Sequence, residues 1–303
     1  MRNKFSEALS KLAKVNKKIY IIVADISPAG KMSDFQKNFS NRYFNVGVAE
    51  QAMVGLSAGL AMKGCKPFIY TIAPFTLYRP FEMIRNDLSY QKLNVTIVGM
   101  GAGTIYSSLG GTHMSQEDIS IARSIPNMQV ISPCDPLELE EAVKFCAKNN
   151  SGPIYLRIGK SGEKILTRNK NLKNWEFNKI RKINAGKDKC IIGYGPILSL
   201  AFDAIKKINK NYSIYSCHTL KPFDHNGLKK IFLKYKKIIT LEDHSEIGGL
   251  KSIVIENAYQ NNFKGKLVSF SLKDKFLNSY ERQEDLWEKH GITIKKIIKA
   301  LKK

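Results

Sequence analysis

Short apolar runs alternate with segments of helical periodicity along the first half of the chain. Strands are predicted over 19–25, 66–72, 94–100, 128–133 and 152–159. Helices are predicted between them, over 3–15, from Glu50 onwards, over 80–91 and after Asp135, which can cap a helix with Pro136 in its first turn. This alternation predicts a mostly parallel sheet with helices on both faces.

The second half repeats the alternation after a polar, basic stretch. Residues 160–184 have weak periodicity, and we interpret them as a connection with room for a short strand. Strands and helices then alternate again over 189–195, 197–208, 212–217, 225–235, 236–243, 248–259 and 265–272, before a terminal helix. The pattern predicts an α/β protein of two domains, residues 1–159 and 185–303, joined by the linker 160–184.

The segment "FNVGVAEQAMVGLSAGLA" (44–61) contains one carboxylate among small residues. Met53, Val54, Ser57, Ala58 and Ala61 recur at the spacing of one helix face, and Glu50 lies three residues before Met53 on that same face. An acid in a first helical turn often faces water, where the helix dipole stabilises it. The apolar stripe favours burial instead, and a buried carboxylate is a candidate proton donor or a partner for a ring nitrogen.

Composition changes this picture little. With 43% hydrophobic and 25% charged residues, the chain has the makeup of an ordinary folded protein. The formal net charge of +23 indicates either a solvated lysine-rich surface or an attraction for phosphorylated ligands or an acidic partner. No nucleic-acid-binding pattern accompanies the charge. The five cysteines form no CxxC pair, so we expect no metal site. The N-terminal helix is unlike a signal peptide and no apolar run could span a membrane, so we expect a cytoplasmic protein.

Polar clusters follow several predicted strands. Asp25 follows the first, residues 71–79 follow the second, and the glycine- and serine-rich stretch 101–113 follows the third. Open parallel sheets bind ligands beyond the carboxyl ends of their strands. A long irregular loop inside a folded domain is more often functional than not.

Five segments in register carry a family resemblance. "FNVGVAEQAMVGLSAGLA", "FTLYRPFEMIRND", "GGTHMSQEDISIARSIPNMQVISPCDP", "TLKPFD" and "EDHSEIGGL" together resemble the C-terminal half of transketolases. The resemblance is closest to the split type, in which two polypeptides replace one long chain. It implies a pyrimidine-binding domain followed by the transketolase C-terminal domain. Deoxyxylulose-phosphate synthases and the β chains of 2-ketoacid dehydrogenases are similar but more distant.

The resemblance implies thiamine diphosphate as cofactor, bound at a subunit interface. Glu50 in "GVAEQ" occupies the position of the glutamate that contacts N1′ of the aminopyrimidine, where a poorly solvated, protonated carboxyl is required. Phe75 matches an aromatic residue against that ring, with Tyr78 as a second candidate and a core phenylalanine as the alternative. Asp25 in "ADISPAG" matches an aspartate near the cofactor and the dimer contact, although a turn-forming role is as compatible with its position.

Three further residues are implied to contact substrate. His113 in "GGTH" matches the histidine that reaches the substrate oxygens, and Arg157 in "YLRIG" matches an arginine that binds a sugar phosphate. Arg2 is a further phosphate candidate, and a surface ion pair is the alternative for each arginine. Leu109 replaces the acid that usually stands four residues before this histidine and helps to read an acceptor hydroxyl, so we expect an unusual acceptor. His244 is interpreted as part of the fold and dimer architecture.

The "GDG" motif that binds the diphosphate and Mg²⁺ in this family is absent from the sequence. The resemblance therefore implies half an enzyme, which works with an N-terminal subunit that holds the diphosphate and most of the Mg²⁺ contacts. A natural assembly is α2β2, with this chain as the central homodimer. The implied activity is transfer of a two-carbon ketol unit from a ketose, favouring a phosphate, to an aldose-type acceptor. A ketoacid carboligase or dehydrogenase β subunit, a deoxyxylulose-phosphate-synthase-like enzyme and a catalytically inactive scaffold are the alternatives.

Overall fold

Two sheets with helices on both faces organise the chain. The computed structural model describes residues 1–26, 31–167, 172, 174–276 and 279–302. The strands are β1 Ile19–Val23, β2 Tyr43–Asn45, β3 Lys66–Ile72, β4 Thr96–Met100, β5 Gln129–Ile131, β6 Ile154–Ile158, β7 Arg181–Asn184, β8 Lys189–Gly193, β9 Ser213–Ser216, β10 Thr219–Lys221, β11 Lys237–Ser245 and β12 Lys266–Leu272. The helices are α1 Arg2–Val15, α2 Met32–Asn38, α3 Glu50–Met62, α4 Ala73–Leu77, α5 Phe81–Met83, α6 Asp118–Ser124, α7 Pro136–Lys148, α8 Ser199–Lys207, α9 His225–Lys234, α10 Leu250–Gln260, α11 Gln283–Lys289 and α12 Ile294–Lys302.

The first sheet has seven strands in the order β10-β5-β6-β4-β3-β1-β2. Every neighbouring pair is parallel except β10 with β5. One face packs against α1 and α7 through Phe5, Leu9 and Leu139, and the other packs against α3 and α6 through Met53 and Ile119. Because both faces are covered, the strands read as continuous apolar runs, as the sequence analysis assumed.

The second sheet has five strands in the order β12-β11-β8-β9-β7, and only β7 is antiparallel to its neighbour. Helices α8 and α12 cover one face, with Ile197 and Leu301 in that core. The opposite face shares a single apolar cluster with the first sheet, which joins Met53 and Ile69 to Tyr194 and Ile253. The fold class predicted from the sequence, an α/β protein with two mostly parallel sheets flanked by helices, is confirmed.

Two helix predictions are confirmed in detail. On α3 the buried residues are Glu50, Met53, Val54, Ser57 and Ala58, which is the predicted face apart from the half-buried Ala61. At α7 the Asp135 carboxylate accepts hydrogen bonds from the backbone N–H groups of Leu137 and Glu138, and Pro136 occupies the first helical position. The predicted cap is therefore present.

Two elements differ from the sequence-based expectation. Strand β10 lies in the second half of the chain but pairs with β5 of the first sheet, and three residues are too few for a periodicity signal. The helix predicted over 80–91 begins as α5 and continues as a π-helix over Ile84–Tyr90. Strand β7 is the short strand for which the sequence analysis left room within 160–184; residues 168–171 and 173 of this stretch lie outside the described residues. Helix α2 and strand β2 are not predicted from the sequence.

Candidate active site

Three neighbouring strands of the first sheet end beside one another, and a candidate residue follows each. Strand β3 lies between β1 and β4, and all three run in the same direction. Asp25 follows β1, Phe75 lies on α4 immediately after β3, and His113 lies in the loop after β4. The polar clusters that follow these strands in the sequence therefore lie at one edge of the sheet, where open parallel sheets bind ligands.

Glu50, Arg79, Phe75 and His113 form a chain of contacts at this edge, which we call the Glu50 cluster. Arg79 Nη1 donates a hydrogen bond to Glu50 Oε1 at 3.0 Å, and the Arg79 guanidinium lies 4.4 Å from the centre of the Phe75 ring. The Phe75 and His113 ring centres are 5.1 Å apart with an interplanar angle of 76°. A carboxylate, a cation, an aromatic ring and an imidazole therefore contact one another in that order within one small region.

The backbone before α3 places Glu50. Asn45 Oδ1 accepts hydrogen bonds from the N–H groups of Asp25 and Gly47, and Gly47 has a φ of +73°, which glycine adopts without strain. This turn connects β2 to α3, so that Glu50 is the first residue of the helix and is only 3% exposed. Among the described residues only Arg79 bonds the carboxylate, and Oε2 has no partner.

His113 closes a short 3₁₀ turn, Gly111–His113, and is half-buried. Its Nδ1 lies 2.9 Å from Thr112 Oγ1, and the other ring nitrogen has no partner among the described residues. An imidazole held on one nitrogen can exchange a proton through the other. The geometry is therefore suited to proton handling beside Phe75.

Asp25 and Tyr78 are near the Glu50 cluster but outside its contacts. Asp25 is exposed and has a φ of +43°, so it sits in a tight turn at the end of β1. The half-buried Tyr78 has a buried hydroxyl without a partner among the described residues. Burial, and then the nearby carboxylates of Asp118 and Glu117, raise the pKa of Tyr78 far above its usual range. Both assignments remain predictions.

Arg157 lies in a buried network, well away from water. Its Nε donates to Asp118 Oδ2 at 2.8 Å and its Nη2 donates to the backbone carbonyl of Asp243 at 2.8 Å. Arg157 is 4% exposed and Asp118 is fully buried. Two of its donors are therefore engaged within the protein, and the proposed phosphate contact has no support from the described geometry beyond a cleft that Arg157 lines with Tyr194.

Arg2 begins α1, and its backbone N–H donates to the carbonyl of Lys160 at 3.0 Å. Its Nε is buried without a partner among the described residues. The neighbouring amino terminus pairs with Glu163, which ties the start of the chain to the segment after β6. The structure thus places Arg2 in an ordered position, while its role in substrate binding stays a prediction.

Leu109 lies in the loop between β4 and His113 and is 49% exposed. It ends a 3₁₀ turn, Ser107–Leu109, and Gly110 follows with a φ of +79°. A Cβ at Gly110 would come 2.8 Å from the Tyr280 ring, so this loop is packed against the second half of the chain. Because its side chain is exposed, Leu109 can contact a ligand.

Sequence reasoning missed Arg79 and the partners of the buried arginines. Arg79 lies four residues after Phe75, a spacing that brings side chains together along a helix, and this signal could have identified it.

We define the sheet junction as the buried polar residues that link the two sheets: Asp118, Arg157, Asp243, Glu138 and Arg181. His244, which sequence analysis interpreted as structural, accepts a hydrogen bond from the backbone N–H of Ser120 next to this junction at 3.2 Å.

At the sheet junction, Arg181 Nε donates to Glu138 Oε1 at 2.9 Å, and Glu138 Oε2 accepts from the backbone N–H of Cys134 and from Ser216 Oγ. Burial would raise the pKa of Glu138, but the charges of His218 and Arg181 together with the hydrogen bonds outweigh it and lower the pKa. Burial itself lowers the pKa of His218. The carboxylate is therefore held ionised by its surroundings.

Neither a metal cluster nor a membrane span is seen in the part of the chain that the structure describes. No group of three or more His, Cys, Asp or Glu residues there could hold a metal ion. None of its helices combines the length and the apolar composition needed to cross a bilayer.

Two protein-family models account for most of the chain. The model "Transketolase, pyrimidine binding domain" matches residues 1–162, and "Transketolase, C-terminal domain" matches residues 178–297. The chain belongs to the transketolase family. This family depends on thiamine diphosphate, as the sequence resemblance implied.

Individual relatives of this transketolase-family chain point to the split type. It is 34% identical to the putative transketolase C-terminal section of Methanocaldococcus jannaschii, over 99% of this chain and 95% of that protein. It is 32% identical to one of the subunits of the apulose-4-phosphate transketolase of Phocaeicola vulgatus, over 86% and 84% of the two chains. A solved split gene transketolase, described as an inactive β4 tetramer, matches with a TM-score of 0.86 and 34% identity, over 99% of this chain and 96% of its own. The identification as the C-terminal subunit of a split transketolase is confirmed.

Proposed function

We propose that this chain is the pyrimidine-binding subunit of a thiamine-diphosphate-dependent transketolase. In this proposal it transfers a two-carbon ketol unit from a ketose, favouring a phosphorylated one, to an aldose-type acceptor. A separate N-terminal subunit supplies the diphosphate and Mg²⁺ contacts, and two copies of each chain form the assembly. The observation that supports this most is the burial of Glu50, whose carboxylate bonds Arg79 and is linked through it to Phe75 and His113.

The residues present fit the aminopyrimidine half of the cofactor. The Glu50 carboxylate has a single protein partner among the described residues, the half-exposed Arg79, whose guanidinium also lies against the partly buried Phe75 ring. A carboxylate that is almost fully buried is costly unless a ligand or partner satisfies it. A flat, nitrogen-containing ring that stacks on Phe75 and bonds Glu50 would satisfy both. The "GDG" motif needed for the other half is absent, which supports a two-chain site.

Each residue of the Glu50 cluster has a defined task in this mechanism. Glu50 would bind the aminopyrimidine ring and hold a proton at its carboxyl oxygen, in a place with little water. Phe75 orients the ring by presenting an apolar face. His113 donates or accepts a proton at the nitrogen that Thr112 leaves unoccupied, next to the oxygens of the ketose or aldose. The chemistry that thiamine diphosphate supplies when bound is an electron sink for the carbon–carbon bond that breaks.

The test is reconstitution with a partner chain that bears a "GDG" motif, in the presence of thiamine diphosphate and Mg²⁺. We expect ketol transfer without release of CO₂, and no turnover by this chain alone. Glu50→Gln removes the proton-holding carboxyl and should lower kcat by about 10²- to 10⁴-fold with the assembly intact. Glu82→Gln is the matched control, because Glu82 is exposed on the segment that follows the site. Consumption of pyruvate with CO₂ release would instead support a ketoacid-type enzyme, and full activity of Glu50→Gln would refute the mechanism.

A further inference from the structure

Arg79 contacts both of the residues that the proposed function assigns to the cofactor ring. Its Nη1 is 3.0 Å from Glu50 Oε1, and its guanidinium carbon is 4.4 Å from the centre of the Phe75 ring. Its side chain is 45% exposed, whereas that of Glu50 is 4% exposed. A single, half-exposed side chain thus covers the buried carboxylate and one face of the aromatic ring.

A guanidinium and an aminopyrimidine share the chemistry that these two residues recognise. Both are planar, both can form a hydrogen bond with the Glu50 carboxyl group, and both stack on an aromatic ring. Neither can use Glu50 Oε1 and the same face of Phe75 while the other is there. The two groups therefore compete for one position.

The cofactor-free chain also needs a group at this position. A carboxylate that is almost fully buried is costly without a cation or hydrogen-bond donor, and Arg79 supplies both. The surroundings of Arg79 allow it to leave, because it lies in the turn between α4 and α5 and bonds no other carboxylate among the described residues. When it leaves, its charge moves into water at little cost.

We propose that Arg79 is a placeholder, which occupies the aminopyrimidine position until the cofactor displaces it. This inference rests on the proposed function, because it assumes that the ring binds Glu50 and Phe75. Displacement means that each cofactor binding event must first break the Arg79–Glu50 ion pair and the stacking on Phe75. Arg79 is therefore a positioning residue that stabilises the empty site and weakens cofactor affinity.

The direct test is calorimetric titration of thiamine diphosphate, with Mg²⁺, into the complex of this chain with its partner subunit. We expect Arg79→Ala to bind about tenfold more tightly than wild type, since no ion pair or stacking contact has to be broken. Arg85→Ala is the matched control: Arg85 is exposed, lies on the same segment, and bonds only Asn86 among the described residues. We expect that variant to bind as wild type does. Weaker binding by Arg79→Ala would show that Arg79 holds the bound cofactor, and unchanged binding would show that it does not compete; either result overturns the proposal.

A second measurement uses the free chain and needs no cofactor chemistry. In thermal unfolding, Arg79→Ala and Glu50→Gln should each change the midpoint, and the double variant should change it by less than the sum of the two. Additive changes would overturn the placeholder contact itself. Failure of the wild-type complex to bind thiamine diphosphate is a different result: it overturns the proposed function, and with it the displacement step, even when the two substitutions are coupled.

Discussion

Arginine–carboxylate pairs occur in two different settings in this molecule. In the Glu50 cluster, the half-exposed Arg79 makes one hydrogen bond to a buried carboxylate. At the sheet junction, Arg157 and Asp118 are both buried, and Tyr155 and Ser115 also donate to the same Asp118 oxygen. The first pair can open without leaving a charge buried on the arginine side, whereas the second cannot. The comparison indicates a replaceable contact at the site and a permanent one between the sheets.

The sheet junction links the loop after β4 to the second half of the chain. Asp243 of β11 accepts hydrogen bonds from Thr104 Oγ1 and the Thr104 N–H in the loop after β4. It also accepts from Gln283 and Trp287 of α11. The loop that carries Leu109 and His113 is thereby attached to the second sheet at one end. The position of this loop therefore depends on residues that lie outside the Glu50 cluster.

The largest effect on stability is expected from breaking the buried Arg157–Asp118 pair. Arg157→Ala leaves the Asp118 carboxylate buried without its cation, which should lower the free energy of unfolding by about 3–5 kcal/mol. Urea denaturation at neutral pH measures this, and Arg85→Ala should change it by less than about 0.5 kcal/mol. A loss below about 1 kcal/mol for Arg157→Ala would contradict the structural role and revive the substrate-phosphate role that the sequence resemblance implied.

The second pair at the sheet junction, Arg181 with Glu138, should make the stability of the chain depend on pH. Glu138 has a lowered pKa in the folded chain, so its ionised form adds stability at pH values above the ordinary glutamate pKa of about 4.3, and that stability is lost as the pH falls through the lowered value. We therefore expect Glu138→Gln to be less stable than wild type by about 2–4 kcal/mol at pH 7, and the gap to narrow only below about pH 4.5. Denaturation curves across this range measure the gap. Glu141→Gln, at a partly exposed position of the same helix, is the control and should show no such trend.

The salt dependence of stability should distinguish the Arg79–Glu50 pair from the Arg157–Asp118 pair. The destabilisation caused by Arg79→Ala in the free chain should be about 0.5–1 kcal/mol at low ionic strength and should largely disappear near 1 M salt, because the arginine is half-exposed. The destabilisation caused by Arg157→Ala should persist at both salt concentrations, since buried charges are screened much less. Equal salt dependence of the two variants would remove the distinction between a replaceable and a permanent pair.

Local signals account for what the sequence predicts well. Strand β3 occupies the predicted 66–72, and α7 begins after the predicted Asp135 cap, because an apolar run and a side-chain cap are contained within a few residues. Strand β10 could not be predicted, since its three residues are defined by pairing with β5. For the site, spacing on α3 was enough to predict that Glu50 is buried, but not which residue covers it. Arg79 comes from a segment 29 residues away, and only the folded chain brings the two together.

The smallest structural effect and the most specific functional one are expected at Leu109. Leu109→Asp restores the acid that the transketolase resemblance places four residues before His113, and an exposed position should keep the stability within about 0.5 kcal/mol of wild type. If the missing acid reads an acceptor hydroxyl, the variant should raise kcat/KM for a hydroxylated aldose phosphate about tenfold relative to the acceptor that wild type prefers. Ser108→Asp adds the same charge at the neighbouring exposed position and should leave the ratio unchanged. Equal shifts in both variants would mean that net charge at the loop, rather than a directed contact from position 109, selects the acceptor.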